Sequence, residues 1–182
     1  LATISDSARH MGVLLDGLTA LSRVGLAPLE MVPVPLQELV QTVRAEVMAK
    51  YPLRAVEWQI ADDLPTVLAD ATLLHQALTH VMGNALKFTA PRALAKIDIR
   101  TVPGALEGYV ALQVRDNGVG YNLAQQDRLF RVFGRLHSAK QFEGIGIGLV
   151  LTRKILARMG GYVSAEAAVD AGCRVELQLQ RA

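Results

Sequence analysis

From residue 4 onward, apolar and small positions recur in a 4-3 rhythm: Ile4, Ser7, Met11, Leu14, Leu18, Leu21 and Gly25, with Ala8 and Leu15 widening the stripe. Asp6, Arg9, Asp16 and Ser22 fall off it. This spacing predicts one helix over residues 1–25 with a heptad seam, which asks for a partner helix. Residues 26–35 break the rhythm with Pro28, Pro33 and Pro35. Proline removes donors and stops helices, so this stretch reads as a linker leading into a short edge strand near residues 31–34. A domain boundary is expected here, with residues 36–182 as the second unit.

Helical spacing returns with Leu36, Leu39, Val40, Val43 and Val47 and predicts a helix to about residue 50, closed by Pro52. Residues 54–60 alternate and read as a strand that includes Trp58. Asp70 is placed to cap a helix over residues 71–88. Its apolar face is Leu74, Leu78, Val81 and Ala85, and its other face carries Gln76, His80, Asn84 and Lys87. Those four step by four, four and three, so they share one side of the helix. Residues 95–102 and 109–115 alternate as a hairpin. A stretch of about 25 residues after Gly120 has little periodicity beyond a short helical piece near residues 125–133. Loops of that length are usually functional. An amphipathic helix over residues 150–159 is stopped by Gly160 and Gly161, and residues 162–166 and 173–179 make a closing hairpin. The sum is an α/β fold: a two-layer sandwich with helices on one face of a mixed sheet.

Composition changes this picture little. The 182 residues are 51% hydrophobic and 20% charged, which suits a folded domain plus an extra element. A net charge of +2 gives no argument for nucleic acid. The one cysteine, Cys173, allows no internal disulfide and fits a reducing compartment. No run reaches a membrane span, and the first residues have neither the basic nor the apolar part of a leader, so a cytoplasmic location is expected. The start without Met reads as that of an excised fragment.

The chemistry gathers around Gly144, Gly146 and Gly148, followed by Leu149 and a helix. Glycine at alternate positions leaves one side of a loop without Cβ atoms, and a helix N-terminus presents free N–H groups to an anion. The spacing fits neither common nucleotide loop, G-x-G-x-x-G nor G-x-x-x-x-G-K-[ST]. On its own this loop reads equally well as a flexible lead into a core helix.

Four stretches in one order change that: Gln76-x-x-x-His80-x-x-x-Asn84-Ala85-x-Lys87-Phe88-Thr89, Asp116-x-Gly118-x-Gly120, Phe130-x-x-Phe133, and Gly144-x-Gly146-x-Gly148-Leu149. This order resembles the N box, first glycine box, F box and second glycine box of sensor histidine kinases, in the ATPase superfamily shared with gyrase, heat-shock chaperones and mismatch-repair proteins. Residues 135–140 are similar to the lid of phytochrome-type kinases. Residues 1–25 look like the second helix of the dimerisation and phosphotransfer hairpin that precedes the catalytic domain.

The resemblance implies a Bergerat-type ATP-binding fold with Mg²⁺ and ATP as cofactors. Asn84 would hold Mg²⁺ through oxygen, Lys87 would meet phosphate, and Phe88 would flank the site. Asp116 would accept the adenine amino group, with the base against Gly118 and Gly120. Gly144, Gly146, Gly148 and Leu149 would line the phosphates. Residues 121–143 would form a lid, pinned by Phe130 and Phe133, with Arg135 and Lys140 as phosphate contacts. His80 stands where the family usually has a second Asn. Magnesium prefers oxygen, so His80 reads as positioning a water or filling space, with a metal ligand as the weaker reading.

The implied function is the catalytic region of a two-component sensor histidine kinase. It would donate the γ-phosphate of ATP to a histidine on another helix, and thence to a response regulator. His10 lacks the acidic follower of a phosphoacceptor, so that histidine is expected upstream and the chain is not expected to phosphorylate itself. Residues 1–25 could also pair two copies. The alternative is a degenerate, non-catalytic interaction module of the same fold, motivated by His80 and by Cys173 near the base. A chaperone-like hydrolase is disfavoured because residues 71–88 contain no Glu to activate water.

Overall fold

A computed structural model describes residues 2–26, 28–134, 136–137, 141–142, 144 and 146–182, with side chains from residue 11 onward apart from residue 13. The elements are α1 (Ala2–Leu26), β1 (Val32–Pro35), α2 (Leu36–Ala49), β2 (Val56–Ile60), β3 (Thr66–Ala69), α3 (Ala71–Phe88), β4 (Ala95–Pro103), β5 (Tyr109–Asp116), a 3₁₀ turn (Leu123–Arg128), α4 (Gly148–Arg158), β6 (Tyr162–Ala167) and β7 (Cys173–Gln180). Five strands form a mixed sheet in the order β2-β4-β5-β7-β6, in which β2 runs parallel to β4 and the other pairs are antiparallel.

Alternation along the strands decides which face the helices cover. Ile99 pairs with Val114, Val114 with Val175, and Val175 with Ala165, giving one continuous buried row across four strands. One residue along, Arg100, Gln113, Glu176 and Ser164 form the matching outer row. Arg174 there pairs with Glu166 at 2.6 Å and Glu176 at 3.2 Å, so this face is solvated and charge-balanced. α2, α3 and α4 bury Val40, Val43, Leu74, Leu78, Val81, Ile155 and Leu156 against the other face. The two-layer α/β sandwich expected from the sequence is the fold observed.

Two departures are local. β3 was not legible as a strand: its four residues, Thr66-Val67-Leu68-Ala69, are too short to show a period, yet they pair antiparallel with β1 as a separate two-stranded ribbon. The short helix expected near residues 125–133 is instead the 3₁₀ turn at Leu123–Arg128. Asn122 sets its start, because its Oδ1 accepts the N–H of Ala124 at 2.9 Å. Trp58 is half-buried on the edge strand β2, with the Arg44 guanidinium 5.8 Å from its ring centroid.

α1 is partly partnered by its own chain. Gly17 and Val24 are buried, and Ala20 and Leu21 are partly buried against the core. The C-terminal carbonyls of α1 are taken by two cations of α4: Lys154 donates to the Leu21 carbonyl at 2.9 Å, and Arg158 donates to that of Val24. Met11, Leu15 and Leu18 stay 58%, 63% and 45% exposed, so the heptad seam is split between a docked and an open face.

Candidate functional site

α3 carries the polar face of the site and is fixed at both ends. At its start the Asp70 carboxylate accepts the N–H of Leu73 at 3.0 Å and that of Glu30 at 3.1 Å. At its end Thr89 donates to the Ala85 carbonyl at 2.9 Å, and Arg54 donates to the Leu86 carbonyl at 2.8 Å. A helix held this way projects His80, Asn84 and Lys87 in one direction. All three line a cavity of about 410 Å³, the size range of a small-molecule site. Gln76, a turn earlier, faces a separate groove against α1 beside Asp16, Ala20 and Arg23.

One end of the cavity is built on Asp116, the last residue of β5. Its Oδ1 accepts the N–H of Gly118 at 2.8 Å and that of Cys173 at 3.3 Å, while Oδ2 bonds to none of the described residues. Burial pushes this carboxyl up to about 6, against the two N–H donors that favour its charge. The glycines beside it serve the chain's own backbone. A Cβ on Gly120, at φ +59°, would stand 1.9 Å from the Ala168 carbonyl, and one on Gly118 would stand 2.7 Å from that of Phe88. Gly120 lines the cavity, whereas Gly118 is buried behind it. The same packing recurs at Gly172, φ +82°, whose Cβ would stand 1.9 Å from the Asp116 carbonyl. The neighbouring Cys173 thiol is pushed up to about 12 by burial and by Asp116, so it stays protonated and unreactive.

The other end is the glycine loop against α3. A Cβ on Gly144 would lie 3.3 Å from Lys87 Nζ, and one on Gly148 would lie 3.2 Å from the His80 ring. Gly148 opens α4, so its N–H belongs to the unpaired first turn of that helix. His80 Nε2 is buried without a partner among the described residues, and its ring is held uncharged by burial and by Lys50 and Lys87. The Asn84 side chain bonds to none of the described residues. Leu149 also lines the wall.

Between the two ends lies an aromatic cluster. Phe88, His137 and Phe142 meet with ring centroids 5.1–5.5 Å apart, and Lys87 Nζ sits 4.5 Å from the centroid of Phe88. His137 Nε2 is 2.9 Å from the Gly120 carbonyl, so this stretch bridges the two ends. Phe130 packs against the core with Arg153 over its ring at 5.7 Å, whereas Phe133 is 39% exposed at φ +61°. Of the two aromatics expected to pin the loop, Phe130 is the one partly buried against the core. Arg135 and Lys140 lie outside the described residues. Gly17 is a wall residue that no sequence pattern signals, and Tyr121 and Phe142, inside the stretch read as a lid, are not singled out by any spacing, because their places depend on contacts distant in the chain.

Residues 69–182 match the family described as histidine kinase-, DNA gyrase B-, and HSP90-like ATPase. Cyanobacterial phytochrome B of Nostoc sp. is 29% identical over 188 residues, which take in 99% of this chain and 24% of that protein. The signal transduction histidine-protein kinase BarA of Escherichia coli (strain K12) is 31% identical over 174 residues, 90% of this chain and 19% of that protein. Among solved structures, full-length ShkA in complex with AMPPNP is 28% identical with a TM-score of 0.74, covering 100% of this chain and 38% of that one. The mycobacterial sensor histidine kinase MprB, at 21% identity and a TM-score of 0.69 over 84% of this chain and 98% of that one, shares the fold. The chain spans a quarter or less of the length of these curated relatives.

Proposed function

Because this chain belongs to the histidine kinase-, DNA gyrase B-, and HSP90-like ATPase family, we propose that it is the ATP-binding catalytic region of a two-component sensor kinase, whose cavity binds Mg-ATP and presents the γ-phosphate to a histidine on another helix. A response regulator would then take the phosphate. Members of the family bind ATP and Mg²⁺, and ShkA was crystallised with the ATP analogue AMPPNP.

One observation carries the reading. A single cavity has a buried carboxylate with one oxygen uncommitted at one end, and an amide, an ammonium and a Cβ-free loop at the other. Asp116 Oδ2 would accept the adenine amino group, an arrangement that repels the carbonyl of guanine. Asn84 would supply the hard oxygen that Mg²⁺ prefers, and Lys87 a point charge for phosphate. Bound Mg²⁺ neutralises phosphate charge during transfer. His80 would offer its buried nitrogen to a water rather than to the metal, because Mg²⁺ prefers oxygen. Gly144, Gly146 and Gly148 would let the phosphates approach the backbone, with Phe88 and Leu149 beside them. Arg135 and Lys140 would add charge from the loop over the site. Catalysis would then be mostly positioning and charge neutralisation.

Calorimetry with an ATP analogue, with and without Mg²⁺ and with GTP as competitor, tests this. Mg-dependent, adenine-selective binding is expected. Absence of binding at millimolar nucleotide would overturn it and favour a non-catalytic module of the same fold.

A further inference from the structure

The turn between α3 and β4 holds a residue that neither the α3 face nor the glycine loop accounts for. Arg92 is half-buried, and its guanidinium donates to three backbone carbonyls: Nε to Asn117 at 2.8 Å, and one terminal nitrogen to Gly118 at 2.9 Å and Asp170 at 3.1 Å. Asp170 Oδ1, 3.5 Å away on a side chain 77% exposed, adds little. We propose that Arg92 is a positioning residue for base recognition, acting on the Asp116 carboxylate through the peptide unit between Asn117 and Gly118. The inference rests on reading this cavity as an ATP site.

The link is covalent geometry. The carbonyl of Asn117 and the N–H of Gly118 belong to one planar trans peptide, so they point in opposite directions. Arg92 holds the oxygen of that plane, and its N–H donates to Asp116 Oδ1. Fixing one end of the plane fixes the other. A charged donor on the carbonyl also polarises the peptide and strengthens its N–H as a donor. The second donor to Oδ1, the N–H of Cys173, follows the turn between β6 and β7 that Arg92 grips at Asp170. One guanidinium therefore holds both backbone segments that orient the carboxylate, and leaves Oδ2 for the base. Asn117 adds a third tie, with its Oδ1 accepting the N–H of Lys96 at 2.9 Å and its Nδ2 donating to the Leu94 carbonyl at 3.1 Å. Lysine, a single point donor, cannot span three carbonyls as this planar fork does.

The test compares ATP- and GTP-analogue affinities, by calorimetry, for the unaltered chain, Arg92→Ala, Arg92→Lys, Asp116→Ala and the double variant Arg92→Ala/Asp116→Ala. Arg92→Ala is expected to weaken ATP analogue binding about tenfold while moving GTP analogue binding less than about twofold. Arg92→Lys should not restore the preference, and it also serves should the alanine variant fail to fold. In the Asp116→Ala background, Arg92→Ala should have no further effect on ATP. Equal weakening of both nucleotides, persisting without Asp116, would make Arg92 a merely structural residue and overturn the proposal. Adenine-selective binding by the unaltered chain, with discrimination kept in both Arg92 variants, would overturn it alone. No binding by the unaltered chain would overturn the ATP reading and this role together.

Discussion

At the Asp116 end of the cavity three backbone segments are stitched together. Gly118, Gly120 and Gly172 leave no room for a Cβ, Arg92 ties the segments together, and the N–H groups of Gly118 and Cys173 commit one Asp116 oxygen before any ligand arrives. At the glycine-loop end the polar groups of Asn84 and His80 bond to none of the described residues, and Gly144 and Gly148 face side-chain tips, whereas a Cβ on Gly146, at φ +72°, would stand 2.3 Å from the Gly134 carbonyl. The first end is preorganised and belongs to the fold. The second is completed by what binds. Glycine does different work at Gly172 and at Gly148: close packing of the chain on itself at the first, an open side toward the cavity at the second, while Gly146 packs on backbone as Gly172 does.

The largest effect should come from breaking a stitch. Gly172→Ala puts a Cβ 1.9 Å from the Asp116 carbonyl in a backbone conformation that alanine rarely adopts. It should cost about 3 kcal/mol, a fall in Tm of roughly 10 °C without ligand, followed by circular dichroism. A Tm within a degree of the parent would show that this end is not stitched at all. Asn84→Ala is the opposite case. Tm should stay within about 2 °C, while Mg-dependent affinity for an ATP analogue should fall roughly a hundredfold. Unchanged affinity would remove Asn84 from the metal.

The two ends were unequally legible from sequence for the same reason. The glycine-loop end is local: Asn84 and Lys87 share a helix face read from their spacing, and Gly144, Gly146 and Gly148 form one short run. The helix itself, Ala71–Phe88 with Asp70 as cap, is legible in the sequence because periodicity and a capping side chain agree. The Asp116 end is long-range. Arg92 meets Asp170 across 78 residues, and Cys173 meets Asp116 across 57. No periodicity encodes such pairings, so Arg92 was invisible, and Gly118 and Gly120 read as ligand contacts when the fold needs them first. β3 was missed for want of length.

A smaller effect separates the ends by pH. Burial raises Asp116 to about 6, so in the empty chain the fold favours the neutral acid. The contribution of this group to stability is therefore full below the ordinary carboxylate range and is lost as pH rises through about 6. Base recognition runs the other way. With Oδ1 held by two N–H donors, the proton must sit on Oδ2 and block its acceptance of the adenine amino group. Adenine-selective binding should fall about tenfold per unit below about pH 6, while the empty chain gains stability. Asp116→Asn should flatten both curves. A binding profile that keeps its step in that variant would assign it to another group.

The smallest effect is the sharpest discriminator, because stability and binding are expected to move in opposite directions at one site. Gly148 opens α4 with an ordinary helical backbone, and a Cβ there would lie 3.2 Å from His80 Nδ1 and 3.4 Å from its Cγ. Alanine at a helix position gains up to about 1 kcal/mol over glycine, and a ring tilt of a few tenths of an ångström relieves the contact. Gly148→Ala should therefore leave Tm unchanged or raise it by a degree or two, yet weaken nucleotide binding about threefold by narrowing the loop's open side and turning His80. Gly148 would then be kept for the ligand and against stability, the reverse of Gly172. If Gly148→Ala lowers Tm as Gly172→Ala does, both ends are fold-determined and the contrast between them collapses.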